Sequence, residues 1–147
     1  MFDDQDILEL LTNKRDTTAS FNLLFDRYHK KIYWHARRMV IDHDDADDVT
    51  QNIFIRIWNG LPAFRGDSKL SSWIYRITVN ETLNFIQNKK LRAALSLKDY
   101  EEILSNKLLD QTHFSGSAIE RDFQQALLTL PTKQRQVFLL RYYDNMP

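Results

Sequence analysis

Residues 64–92 gather the three kinds of side chain that holding a single nucleic-acid strand requires. Phe64, Trp73 and Tyr75 offer aromatic faces on which bases stack, while Arg65, Lys69, Arg76, Lys89, Lys90 and Arg92 offer cations that track phosphates. Asn80 adds a donor and an acceptor side by side, the pattern that reads a base edge. The other reading of Asn80 is a buried amide satisfied by backbone.

Patterns for catalysis are sparse. His43-Asp44 has the look of a metal dyad, but His29, His35 and His113 stand at no ligand-like spacing from it. The chain carries no Gly-rich phosphate loop and no G-x-S-x-G, and its aspartate cluster falls where a helix start would favour anions. With no cysteine there is no thiol nucleophile, zinc finger or disulfide framework, so a cytosolic setting is expected. The expectation is a protein without enzymatic activity, metal or cofactor.

The elements that position these residues are helical. Among 147 residues there are only 3 Gly and 3 Pro, too few turn-makers for a many-stranded protein, and the 43% hydrophobic content is too high for disorder. The longest apolar run, Val137 to Leu140, is far short of a membrane span, and the acidic start Asp3-Asp4-Gln5-Asp6 is unlike a signal peptide. Neither secretion nor membrane insertion is expected.

Net charge is zero, yet it is unevenly spread. Residues 1–48 carry 7 basic and 11 acidic side chains, residues 49–92 carry 7 and 2, and residues 93–147 carry 6 and 7, so the segments stand at −4, +5 and −1. A basic middle between acidic flanks suggests two surfaces with different partners, one of them anionic.

Periodicity places the helices. Asp3 or Asp4 caps a short first helix that stops near Asn13, and Thr17 or Thr18 caps a second carrying Phe21, Leu24, Phe25, Tyr28, Ile32, Ala36, Met39 and Val40. A third begins among Asp42, Asp44, Asp45, Asp47 and Asp48 and ends at Gly60. Its core stripe is Ala46, Val49, Ile53 and Ile57, which leaves Phe54, Ile55 and Trp58 to meet a neighbouring helix or a partner. After a loop containing Gly66, a fourth helix starting at Ser68 or Ser71 is apolar almost all round except for a window of Arg76, Asn80 and Gln87 bordered by Asn84. Glu81 falls on an apolar side without explanation. Residues 93–117 read as a tether with at most one helical turn and a loop at Ser115-Gly116-Ser117. Two short helices then flank Pro131, with nothing obvious to pack against.

The order of these residues carries a resemblance. Phe25-Asp26-Arg27-Tyr28, then the run from Asp44 to Trp58, then Phe64-Arg65-Gly66 with Leu70 to Asn80, resembles the second region of bacterial RNA polymerase sigma factors, most of all the extracytoplasmic-function (ECF) group. Ala126 to Tyr143 resembles the opening helices of that family's fourth region. The resemblance implies an all-α transcription initiation factor: region 2 over residues 1–92, a flexible linker over 93–117 and a partial region 4 over 118–147, ending before the helix-turn-helix that reads the −35 element. It implies that Asp48, Gln51, Asn52 and Trp58 grip the β′ clamp helices of core RNA polymerase. It further implies that Phe64, Arg65, Lys69, Ser71, Ser72 and Trp73 capture an extruded base of the −10 non-template strand, and that Asn80 contacts the promoter nearby. Where the family often places Asp and Arg after the Asn80 position this chain has Asn84 and Gln87, which shifts backbone contacts toward Lys89, Lys90 and Arg92. An anti-sigma factor is a further implied partner. The rival reading is a helical polymerase- or protein-binding regulatory module without DNA readout.

Overall fold

A computed structural model describes residues 3–13, 15–93, 97–110 and 118–144, in which seven α-helices and one 3-10 turn appear and no strand. The helices are α1 (Asp4–Thr12), α2 (Thr17–Val40), α3 (His43–Gly60), α4 (Leu70–Ala93), α5 (Leu97–Asp110), α6 (Ala118–Leu128) and α7 (Thr132–Asp144), with the 3-10 turn at Leu61–Ala63. The expected loop at Ser115–Ser117 and the final Asn145-Met146-Pro147 lie outside the described residues.

Local chemistry sets the helix starts. Asp3 and Asp6 form a reciprocal capping box on α1. Asp16, rather than Thr17 or Thr18, caps α2 by accepting from the Ala19 amide at 2.9 Å. Asp42 caps α3 through the Asp45 amide, with Asp44 and Asp45 in the first turn, where the helix dipole favours negative charge. Between α2 and α3 the chain reverses at Ile41, whose φ of 67° and ψ of −45° form a γ-turn closed by the Asp42 amide on the Val40 carbonyl at 2.7 Å. That geometry is strained for a β-branched residue, by about 1–3 kcal/mol. Ile41 is nevertheless fully buried.

Two apolar clusters hold the helices. The first joins Ile7 of α1 with Leu24, Tyr28, Ile32 and Ala36 of α2, Val49, Ile53, Phe54 and Ile57 of α3, and Leu70, Ile74 and Tyr75 of α4. Tyr28 also ties α1 to α2, donating its hydroxyl to the Asp4 carboxylate at 2.9 Å. The second cluster joins Met39, Val40 and Ile41 at the end of α2, Ala46 and Ile86 to Tyr100, Leu104 and Leu108 of α5, Leu127 and Leu128 of α6, and Leu139 of α7.

The second cluster departs from the sequence reading in two respects. The stretch read as a tether contains a helix, because Tyr100, Leu104 and Leu108 recur at four-residue spacing and bury one face. The last helices do have a partner, the open end formed by α2 and α4. Polar contacts reinforce this seat. Arg135 is buried and donates Nη2 to the Met39 carbonyl at 3.1 Å, and the Arg38 guanidinium lies 3.7 Å from the centre of the Tyr143 ring.

His35 is buried in the same contact beside Gln136, and burial, reinforced by the Arg38 charge, depresses its pKa to about 4. An unfolded histidine takes a proton near pH 6.5, so the native state loses stability as pH falls from 6.5 toward 4, by about 3 kcal/mol in all. Denaturant titrations across that range should show this loss, and His35→Gln should flatten it. An identical pH profile for the variant would put the linkage elsewhere. Leu104→Ala should cost about 2–5 kcal/mol and speed protease cleavage within residues 97–110, the pattern of a seated helix. Rapid cleavage there in the unsubstituted protein would restore the tether reading.

Candidate nucleic-acid interface

The loop after α3 and the first turns of α4 are built around one aromatic contact. Phe64 tilts against Trp73 with ring centroids 5.1 Å apart, and both are half-buried against the first cluster. Gly66 turns the loop with φ of 79°, a conformation that glycine adopts without strain. Arg65 and Lys69 are exposed on the loop, and Ser71 and Ser72 are half-buried at the start of α4.

Along α4, Trp73, Arg76, Asn80, Asn84 and Gln87 share one face by their spacing of three and four. Arg76, Asn80, Asn84 and Gln87 are all exposed there. Asn80 is therefore not the buried amide that was its other reading. The opposite side of the helix is core, with Ile74, Tyr75, Thr78, Thr82 and Ile86 buried. Thr78 and Thr82 return their hydroxyls to the carbonyls of Ile74 and Thr78, which satisfies two polar groups inside the apolar contact.

The three cations near the end of α4 are drawn elsewhere. Lys89, nine residues beyond Asn80 and so about 180° around the helix, forms an ion pair with Asp45 of α3. Lys90 reaches Thr132 Oγ1 at 3.4 Å and stands 5.4 Å from the Tyr100 ring centre, and burial lowers its pKa. Arg92 bends back to the Asn88 carbonyl at 3.4 Å. Phe64 thus meets Trp73, which shares its side of α4 with Arg76 and Asn80, and Arg65 and Lys69 stand exposed on the preceding loop, whereas Lys89, Lys90 and Arg92 are engaged by other groups.

On α3, Asp48, Gln51 and Asn52 are exposed, and all three border a cleft between α3 and α4. Of the three surplus apolar residues, Phe54 is core, packed 4.8 Å from Phe25, while Ile55 and Trp58 are 52% and 42% exposed. Trp58 is held edge-on by Phe21 at 5.2 Å. Ile55 stays exposed on α3, as the surplus apolar surface read from the sequence requires of a residue left for a partner. A cross-helix ion pair was missed: Arg56 Nε lies 2.8 Å from Glu81 Oε1, joining α3 to α4. Its signals in the sequence were that Glu81 falls on an apolar side of α4 and is, with Asp67, one of only two acids in the basic segment.

His43, Asp44 and Asp47 cluster at the exposed start of α3. Tyr33 meets His43 Nδ1 at 2.7 Å and Asp47 lies 3.5 Å from Nε2, so both ring nitrogens are engaged by protein groups. Helix-start electrostatics and these contacts account for the cluster.

Comparison with known proteins decides the family. The Sigma-70 region 2 model matches residues 24–92, and the model of Sigma-70, region 4 matches residues 120–147. The ECF RNA polymerase sigma factor SigW of Bacillus subtilis is 30% identical over 141 residues, which cover 90% of this chain and 75% of SigW. The ECF RNA polymerase sigma-E factor of Escherichia coli is 33% identical over 144 residues, covering 98% of this chain and 70% of its own length. The chain belongs to the ECF sigma factors. A third relative, SigM of Mycobacterium tuberculosis, is 33% identical over 116 residues, 79% of this chain and 56% of SigM. As an ECF sigma factor the protein is a transcription initiation factor and not an enzyme, and its partners are core RNA polymerase and promoter DNA. Among the described residues, no helix is long and apolar enough to cross a membrane.

Proposed function

We propose that this ECF sigma factor divides its two partners between two helices. The outward face of α3, with Asp48, Gln51, Asn52 and Trp58, takes the β′ clamp helices of core polymerase. The open face that runs from Phe64 to Asn80 takes the −10 element's non-template strand. The observation that carries this reading is the exposure of Asn80 on a face shared with Trp73 and Arg76, while the neighbouring side of α4 is closed by α3.

Melting then follows from differential binding: a face that holds an unstacked strand and not the duplex shifts the equilibrium toward the open state. Arg65, Lys69 and Arg76 track the phosphates, and Lys89, Lys90 and Arg92 join them only when released from Asp45, Thr132 and Asn88. In this proposal residues 1–92 form the region 2 unit, residues 93–117 connect and residues 118–147 open region 4. The protein works in the cytoplasm, and an anti-sigma factor that covers either face would silence it.

Trp58→Ala should weaken core polymerase binding by about 2 kcal/mol or more, as a buried aromatic anchor does, with Asp48→Ala and Gln51→Ala costing less. Titration of labelled core polymerase measures this, and unchanged affinity for all three variants would remove the surface. In the holoenzyme, Asn80→Ala should lose about 1–3 kcal/mol of discrimination at a single base. A −10 mutant library bound by the two holoenzymes reads it out. An equal loss on every sequence would mean that Asn80 reads no edge, and no loss at all would favour a polymerase-binding module without DNA readout.

A further inference from the structure

Below Asn80 a cleft of about 460 Å³ opens between three helices, within the size range of small-ligand sites. Asn80, Asn84 and Gln87 of α4 supply amides to its wall, Arg56 enters from α3 and Lys133 from α7. Amides beside cations are what a nucleotide asks of a site, one kind for the base edge and the other for the phosphate.

Arg56 is the informative member. Its side chain is 67% exposed, on the helix that carries the proposed polymerase surface, yet it turns toward α4, where Glu81 holds Nε at 2.8 Å. Glu81 itself is only 16% exposed, so the carboxylate is a fixed post and the guanidinium a group mounted on it. The other four N–H donors of an arginine lie on its two Nη atoms, in a planar fork that matches two phosphate oxygens. A mounted fork loses less side-chain freedom on binding than a free one.

We infer that Arg56 is a further DNA-binding residue, contacting a phosphate of the strand whose base Asn80 reads, and that Glu81 is its positioning residue. The inference rests on the reading of Asn80 as the base reader. It gives Glu81 a role that the apolar pattern of α4 could not supply. It also makes α3 bifunctional, with polymerase on Asp48, Gln51 and Asn52 and the DNA backbone at Arg56, one turn beyond Asn52.

The test uses holoenzymes formed with Arg56→Gln, Arg56→Lys, Glu81→Gln and, as reference, Asn80→Ala. Each is titrated with a fluorescent −10 non-template oligonucleotide and with a scrambled one, over a potassium chloride series. Arg56→Gln should weaken both oligonucleotides by the same factor and reduce the slope of log affinity against log salt by about 0.7, one phosphate contact on a single strand. Between 50 and 200 mM salt its deficit should therefore shrink by about 2.6-fold. Arg56→Lys should keep the slope, and Glu81→Gln should keep the slope but lower affinity for both. An unchanged slope and affinity in Arg56→Gln, alongside a base-specific loss in Asn80→Ala, would overturn the inference and leave the reading of Asn80 standing. Loss of core polymerase affinity in Arg56→Gln would overturn it by placing Arg56 in the clamp surface. Failure of Asn80→Ala to alter discrimination would instead overturn the underlying reading.

Discussion

Gly60 has no Cβ, and that absence lets α4 lie close against the end of α3: a Cβ there would stand 3.0 Å from Trp73 Cζ2. From that contact the two helices run antiparallel, and two ion pairs repeat the crossing farther along, Arg56 with Glu81 and Asp45 with Lys89. The position on one helix falls as that on the other rises, so the three contacts describe a single register. Exposed ion pairs contribute little by themselves, but Glu81 and Asp45 are 16% and 15% exposed, and the apolar contact of Ile53 and Ile57 with Ile74 lies beneath them. Rotation of α4 about its axis would break all three contacts together. The face that carries Asn80 is therefore fixed relative to the face that carries Asp48, so that under the proposed assignment energy from binding on one side can hold a geometry on the other.

The seat of α5, α6 and α7 has a different character. Tyr100, Leu104, Leu108, Leu127, Leu128 and Leu139 supply apolar area, but Arg135, Gln136 and His35 are buried with them. Taking a guanidinium from water is costly, and one carbonyl bond at 3.1 Å offsets only part of it. When the seat opens, rehydration of these groups recovers some of what the apolar contact loses. Such a contact is ordered without being irreversible. Lys133 shows how near these helices come to α4: it lines the cleft that Asn80 and Gln87 border.

Most helix boundaries were legible because they follow from local rules. The acidic cap at Asp3, the aspartates at the start of α3 and the glycine at 60 each act within a turn or two of chain. The periodicity of α2 and α3 identified the core stripes, since Leu24, Tyr28, Ile32, Val49, Ile53 and Ile57 are all buried. What escaped the sequence depends on which neighbour arrives. Phe54, Ile55 and Trp58 are equally apolar, and only the approach of α2 makes Phe54 core while Ile55 stays open. Lys89 and Lys90 are adjacent in sequence but about 100° apart on the helix, so one meets α3 and the other meets Thr132 and Tyr100. The helix α5 was obscured by composition: its Ser, Lys, Asp, Glu and Asn residues read as a tether, although Tyr100, Leu104 and Leu108 already marked one face. Of the candidate site, the polar window was visible in the spacing of Arg76, Asn80 and Gln87, all three exposed. The orientation of Arg56 was not, because it is set by an ion pair with Glu81, twenty-five positions away.

The γ-turn at Ile41 links these scales. A glycine there would adopt a positive φ without strain, but it would remove a side chain from the centre of the second cluster and leave a cavity. The isoleucine is tolerated because that cluster encloses it, and much of the enclosure comes from residues sixty to a hundred positions downstream. The corner between α2 and α3 is thus held tight by parts of the chain made long after it during synthesis. If the C-terminal helices left their seat, Ile41 would lose the cover that offsets its strained geometry, so the corner between α2 and α3 and that seat stabilise one another.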